Sequence, residues 1–482
     1  MRIAECGQVA APFPRPMRSG TESLVDCTDS MTGGLLQMVP PGKPAVSFHT
    51  LGCRLNQSES ASLGAAFYSV GYRVVDETAS ADLAVINTCS VTEQAEAKCR
   101  NLIRKILKQN PETFIAVTGC YAQVGVDALR KMPGIDLIAG TEFKMDLPKL
   151  VEEVFEGRPP AKRTAPMVFH TPKISRSDFT IESYAAFDQA TRPNVKIQDG
   201  CDFFCSFCII PTTRGRERSR KLDDILLETS IWVARGHREI VLTGVNLGNY
   251  RSEGEDLADL IDALETIDGL DRIRISSIEP TTVSDRILDR MARGGKLCPY
   301  LHLPLQSGSD AVLSAMGRRY TRKEYLEFVR AAMAQVPNLG LGTDVMVGFP
   351  GEGEAEFVET LSLVEALPFS YLHVFPFSRR KGTRVTKMDL PPVPSRAIKA
   401  RSRILCDLSR RRRKEFYSRA IGETVDVLFE TRNEEGLFCG LTSNYIRVGV
   451  ESDGDLSGRV GSVRIEGVID GLAQGRLIGE VR

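Results

Sequence analysis

From Ala45 onward, short apolar runs alternate with segments of helical period. AVSFHTLG (45–52), LAVINTC (83–89), FIAVTGC (114–120) and IDLIAG (135–140) read as strands. Helices are expected between them, over 56–70, about 92–108 and about 122–131. This alternation predicts an α/β domain with a doubly wound parallel sheet. A second series begins near Asn194, with candidate strands at 194–200, 239–245, 272–278, 301–307, 342–348 and 371–377. Six strand–helix units predict a partial, TIM-like β/α barrel, shorter than the usual eight. From about Ile421 the period changes to two. ETVDVLFE (423–430), SNYIRVGVE (443–451) and GSVRIEGVI (461–469) predict a small antiparallel β-barrel.

The expected organisation is a disordered extension over 1–44, an N-terminal domain over 45–157 and a linker over 158–190. The barrel follows over 191–417 and the terminal β-barrel over 418–482. Eleven of the first 44 residues are Pro or Gly, too few apolar groups remain to offset ordering entropy, and Met31 and Met38 are alternative starts. Cys6 and Cys27 lie there and receive no role.

Lys plus Arg is 62 and Asp plus Glu is 62, which excludes a uniformly basic nucleic-acid coat but not a local patch. No run approaches the roughly 18 apolar residues of a membrane helix, and the N-terminus lacks a signal-peptide core. A cytoplasmic protein with reduced thiols is the expectation. Twelve cysteines therefore call for chemistry other than disulfides.

Cys201, Cys205 and Cys208 form C-x3-C-x2-C directly after the first barrel strand. Three thiolates at this spacing wrap one face of a four-iron cluster and leave one iron open for a ligand. The alternative is zinc, but structural zinc closes with four ligands and no fourth Cys or His lies nearby in sequence. Cys53, Cys89 and Cys120 are dispersed, yet each ends a predicted parallel strand, and such ends converge on one crevice. Buried cysteines acting as small hydrophobes are the alternative for this second set. Cys99, Cys298, Cys406 and Cys439 are read in that way.

FHTLGCRLNQSES (49–60), INTCSVTEQAEAK (86–98), VTGCYAQ (117–123) and GCDFFCSFCIIPTTRGRERSR (200–220) resemble, in order, motifs of one family. So do HLPLQSGSDAVLSAMGRRYT (302–321), TDVMVGFPGE (343–352) and HVFPFSRRKGT (373–383). The family is the methylthiotransferases among the radical S-adenosylmethionine (SAM) enzymes, and the resemblance covers about residues 45–482. It implies a radical SAM 4Fe-4S cluster on Cys201, Cys205 and Cys208, whose open iron binds the methionine end of SAM. It implies an auxiliary 4Fe-4S cluster on Cys53, Cys89 and Cys120 that holds the sulfur to be donated. In that family one SAM methylates this sulfur and a second yields a 5′-deoxyadenosyl radical. No catalytic residue beyond the cluster ligands is implied.

LGCRLN (51–56) and LHVFPFSRRKGT (372–383) are most similar to the MtaB-like branch. That branch adds methylthio to the adenine 2-position of N6-threonylcarbamoyladenosine beside the tRNA anticodon. The alternatives are a MiaB-like reaction on N6-isopentenyladenosine, a RimO-like modification of a ribosomal-protein aspartate, or a non-catalytic iron–sulfur RNA-binding protein. The implied partners are the tRNA anticodon stem–loop, an electron donor of flavodoxin or ferredoxin type and a sulfur source, with no membrane and with the chain a monomer.

Strand ends at a barrel mouth are the natural source of SAM contacts. Thr243, Gly244, Glu279, Gln306 with Ser307, and Asp344 are the candidates. Residues 391–420 hold ten basic and two acidic residues, and Arg410, Arg411, Arg412, Arg413 and Lys414 are the candidate RNA contacts. Arg214, Arg216, Arg218, Arg220 and Lys221 form a second basic cluster suited to phosphate, with pairing to a SAM carboxylate or to acids in the barrel as the alternative for Arg216 or Arg218. The terminal segment resembles a TRAM domain but carries eleven acidic and six basic residues over 421–482. Stacking by Phe429, Phe438 or Tyr445 is the alternative to phosphate binding there.

Overall fold

The computed structural model describes residues 44–155, 161–175, 179, 181 and 190–482. The expectation of a disordered extension lies, but for Pro44, outside the described residues.

The first apolar series builds one six-stranded sheet: β1 (Ala45–Thr50), β2 (Arg73–Val75), β3 (Leu83–Thr88), β4 (Phe114–Gly119), β5 (Leu137–Ala139) and β6 (Met167–Phe169). Its order is β2-β1-β3-β4-β5-β6, and every pair is parallel. Alternate residues of the same strands enter different cores. Leu83, Val85, Phe114 and Ala116 pack on one face, and Ala84, Ile86, Ile115 and Val117 pack on the other. Burial on both faces is why these strands read as continuous apolar runs. β2 and β6 escape the sequence pattern because three residues are too few to show a period. β6 falls inside the stretch read as a linker. The helix expected over 122–131 is two short helices, Cys120–Val124 and Val126–Arg130, broken at Gly125.

The second series gives six parallel strands in chain order: Asn194–Lys196, Glu239–Thr243, Arg272–Ile275, Tyr300–His302, Gly340–Val347 and Tyr371–Pro376, here the first to sixth barrel strands. They form two three-stranded parallel sheets. Backbone hydrogen bonds from Cys298 to Ile273 (2.9 Å) and from Ile278 to His302 (3.2 Å) join the third and fourth strands. The largest core fills this partial barrel, and Ala61 of helix Arg54–Ser69 packs against it.

The terminal segment closes a five-stranded barrel from Thr424–Arg432, Phe438–Thr442, Arg447–Val450, Val460–Ile469 and Leu472–Ile478. One correction applies: Arg447–Val450 pairs with Leu472–Ile478 in parallel, so the barrel is not wholly antiparallel. This barrel docks on the starts of the central strands. Arg272 donates to the carbonyls of Leu441 (2.9 Å) and Asp426 (2.8 Å), and Arg192, just before the first strand, pairs with Glu430 at 2.7 Å. Helix Ser395–Ser418 runs from the mouth side, where Arg401 pairs with Glu352, to the strand starts. There the Ser409 hydroxyl accepts from Leu372 N (2.9 Å) and donates to Leu372 O (3.0 Å).

Candidate functional site

Cys53, Cys89 and Cys120 meet at one edge of the N-terminal sheet. Cys53 precedes helix Arg54–Ser69, Cys89 follows β3, and Cys120 opens helix Cys120–Val124 after β4. Burial pushes the Cys89 thiol up to about 12, and the nearby sulfurs of Cys120 and Cys53 add to the rise. Two glycines permit the approach. Gly52 has φ +112°, and a Cβ there would lie 2.8 Å from Cys89 Cβ. Gly119 has φ +95°, and a Cβ there would lie 2.5 Å from both Asn87 Oδ1 and the Thr88 carbonyl. Cys99 is buried in the core beneath, its thiol 3.9 Å from the Cys89 carbonyl.

Cys201, Cys205 and Cys208 occupy a pinned loop. Cys201 N donates to Gly215 O (3.2 Å), Cys208 N to Cys205 O (3.0 Å) and Ser206 N to Met316 O (2.7 Å). Donors reach these sulfurs, among them Phe203 N to Cys201 Sγ at 3.4 Å and Arg318 Nη1 to Cys205 Sγ at 3.3 Å. Burial pushes Cys201 up to about 11 and Cys208 up to about 12, and the Cys205 sulfur adds to both. Thiols with raised pKa stay protonated at neutral pH until a bound metal displaces their protons, which leave to water. Three sulfurs, N–H donors aimed at them and a shielding loop fit an iron–sulfur cluster. The triad of Cys53, Cys89 and Cys120 offers the same donor set, three thiols brought together at parallel strand ends.

The two triads are tied together by a buried ion network that spacing alone did not reveal. Glu59, on the helix after Cys53, accepts Lys196 Nζ (2.8 Å), Arg214 Nη1 (2.8 Å), Arg214 Nη2 (3.2 Å) and Lys144 Nζ. Asp199, just before Cys201, accepts Lys196 (2.7 Å) and Arg214 (3.0 Å). Arg214 also donates to Asn56 Oδ1 at 2.6 Å, and the Cys120 sulfur lies close enough to favour its charge. Burial alone would raise the Glu59 carboxyl, but Arg214, Lys144 and Lys196 hold it well below the carboxylate range. Helix Cys120–Val124 packs on helix Ile210–Thr213, which follows Cys208.

This corrects the reading of the second basic cluster as a phosphate patch. Arg214 and Arg220 are wholly buried, and Arg220 pairs with Asp224 (2.6 Å) and Glu228. Arg218 pairs with Asp199 (3.3 Å), and Arg216 pairs with Asp202 (3.4 Å) and covers the Phe204 ring.

The SAM candidates fall at the ends of barrel strands or within them. Thr243 is buried, its hydroxyl on Val241 O (3.2 Å), and Gly244 follows it. Glu279 is ion-paired to Arg318, the arginine that also touches Cys205. Gln306 has φ +66°, and its N–H donates to Asp344 O at 2.8 Å. Ser307 is buried against Thr360. Asp344 is bracketed by His302 Nε2 (2.9 Å) and His373 Nδ1 (3.3 Å), and both imidazoles hold its carboxyl below the usual range. Neither histidine stood out in the sequence; only the barrel registers them on one carboxylate.

The RNA candidates fare differently. Arg410 pairs with Asp407, and Arg412 with Glu415 (2.9 Å) and the Glu365 carbonyl. Among the described residues Arg411, Arg413 and Lys414 have no ion pair, yet they lie beyond Ser409, at the strand-start end of the barrel. Phe429 and Phe438 are core residues of the terminal barrel, and Tyr445 stacks on Tyr300 at 4.4 Å. The expected stacking by these three rings is thereby corrected.

Residues 195–364 match the Radical SAM superfamily, and residues 45–140 match the Uncharacterized protein family UPF0004. A Bacillus subtilis relative called threonylcarbamoyladenosine tRNA methylthiotransferase MtaB is 37% identical, over 87% of this chain and 93% of its own. The MtaB of Aquifex aeolicus is also 37% identical, over 84% of this chain and 96% of its own. A tRNA-2-methylthio-N(6)-dimethylallyladenosine synthase of Acetivibrio thermocellus is 33% identical, over 90% of this chain and 91% of its own. Among solved structures, the radical SAM methyltransferase TsrM of Kitasatospora setae shares the fold, with a TM-score of 0.52 at 14% identity over 69% of this chain and 72% of that one. With both thiol triads and these matches together, the chain belongs to the radical SAM methylthiotransferase family. Enzymes of this family use SAM and carry two 4Fe-4S clusters. No described helix is long and apolar enough to cross a membrane.

Proposed function

We propose that the chain transfers a methylthio group to the adenine 2-position of N6-threonylcarbamoyladenosine next to the tRNA anticodon. The observation that carries this is the fixed juxtaposition of two cysteine triads, one at the sheet edge and one at the barrel mouth, with a buried ion network between them. Cys201, Cys205 and Cys208 would hold the radical SAM cluster, and Cys53, Cys89 and Cys120 would hold the auxiliary cluster. When bound, these groups supply radical and sulfur-transfer chemistry. The protein's own residues orient and shield: Arg318 donates to Cys205, and the Cys201–Cys208 loop closes against Met316. Thr243, Gly244, Glu279, Gln306 and Asp344 are the residues assigned to SAM. An anticodon loop presents an unpaired base that is splayed into a mouth at modest cost.

Relatives named for dimethylallyladenosine make that nucleoside the second reading. The relatives named MtaB support the first reading, at 35–37% identity against 33–34% for those named for dimethylallyladenosine. An electron donor and a sulfur source complete the reaction.

Mass spectrometry of nucleosides from total tRNA, with the gene deleted and then restored, tests the reading. The expected result is loss of methylthio-threonylcarbamoyladenosine, accumulation of its precursor and reversal on restoration. An unchanged spectrum for that nucleoside overturns the substrate assignment. In the purified enzyme Cys205→Ala should abolish SAM cleavage, while Cys89→Ala should retain it and lose methylthio transfer.

A further inference from the structure

We propose that the loop Ser378–Lys387, at the barrel mouth, is the surface that grips the phosphates of the single-stranded anticodon loop, in place of the basic run Arg410–Lys414. The inference rests on the tRNA reading above. The loop leaves the end of the sixth barrel strand and spans the space between the triads. At one end the Ser378 hydroxyl accepts from Glu93 N (3.2 Å), and Arg380 pairs with Glu96 within reach of the Cys89 sulfur. At the other end Val385 N donates to Ser206 O at 2.8 Å, and Arg384 lies over Gly317, beside the Cys205 backbone. A substrate that reaches both triads therefore passes over this loop.

Its charge suits RNA. Residues 378–387 hold five basic residues and no acidic one. Arg380 is used internally, which leaves Arg379, Lys381, Arg384 and Lys387 exposed and without an ion pair among the described residues. Phe375, near the end of the strand before the loop, is 44% exposed and offers a face to a splayed base. The rival run lacks this placement. It lies past Ser409, where the helix meets the start of the sixth strand and the acidic terminal barrel begins. Two of its five side chains already have carboxylate partners. A charge gains counterion-release free energy only where a phosphate lies against it.

Binding of a synthetic anticodon stem–loop RNA to the cluster-loaded enzyme, measured by fluorescence anisotropy across a salt series, tests this. The loop variant carries Arg379→Ala, Lys381→Ala, Arg384→Ala and Lys387→Ala; the helix variant carries Arg411→Ala, Arg413→Ala and Lys414→Ala. Both variants are first checked for the parent's melting temperature and bound iron. Taking one cation away from a phosphate lowers the salt slope by about 0.7, so the loop variant should lose about 3 in slope and bind roughly 100-fold more weakly near 0.15 M salt. The helix variant should stay within about threefold of the parent, since its cations lie at the strand-start end, away from the mouth. Equal binding by parent and loop variant overturns the proposal, as does a loss confined to the helix variant. If the parent itself does not bind the RNA, the tRNA reading fails first and the loop assignment falls with it.

Discussion

Replacing Glu59 with Gln should unfold the junction between the two triads more than any surface change. The carboxylate is buried with three cations on it, and Lys144 has no other carboxylate partner among the described residues. Lys196 and Arg214 keep Asp199 when Glu59 is neutralised, but Lys144 is left as an uncompensated buried charge. Removing one member of a buried ion pair costs about 3–5 kcal/mol, most of it the burial of the orphan. For domains of this size that lowers the melting temperature by roughly 10 °C. The diagnostic variant is Glu59→Gln combined with Lys144→Met, which removes the orphan and should restore more than half of the loss. Thermal and denaturant unfolding of the four members of this cycle give the coupling, expected at about 2–3 kcal/mol. Because Glu59 lies on the helix that starts beside Cys53, the single variant should also consume more SAM per methylthio group delivered. A single-variant loss below about 1 kcal/mol, or no recovery in the double variant, refutes the reasoning.

Three further outcomes are expected. Gly119→Ala places a Cβ against Asn87 and Thr88 at positive φ, should cost about 2–3 kcal/mol, and should release iron from the triad that includes Cys120, read as bound iron per chain. His49 is buried, and burial lowers its imidazole from 6.5 to about 4. The unfolded chain therefore binds the proton first, stability is full above pH 6.5, and it falls as pH drops toward 4. The loss between pH 7.5 and 5.5 should be about 1.3 kcal/mol by denaturant titration, and His49→Gln should abolish that share. Arg318→Met removes the donor to Cys205 and the partner of half-buried Glu279, whose carboxyl is raised by desolvation; it should shift the potential of the radical SAM cluster and slow SAM cleavage while bound iron stays unchanged.

The class of each domain was legible in the chain because burial on two faces, on one face, or around a small barrel writes different periods into sequence. Parallel strands buried on both faces gave unbroken apolar runs, and the terminal barrel gave alternation. Cys201, Cys205 and Cys208 were legible from local spacing, since one loop carries all three. Cys53, Cys89 and Cys120 were legible only through the rule that parallel strand ends converge, and only the fold brings their sulfurs within electrostatic reach. The rest was set by contacts between distant segments. β6 was hidden in an expected linker because three residues carry no period, and neighbouring β5 decides that they pair. The parallel closure of the terminal barrel depends on which edges meet. Most of all, a count of basic residues does not record direction: Arg214 and Arg220 turn inward to buried carboxylates, and Arg410–Lys414 lie at the end of a long helix that runs away from the mouth. Charge is a property of the sequence, but whether it meets solvent, a carboxylate or a phosphate is decided by where the tertiary fold leaves it.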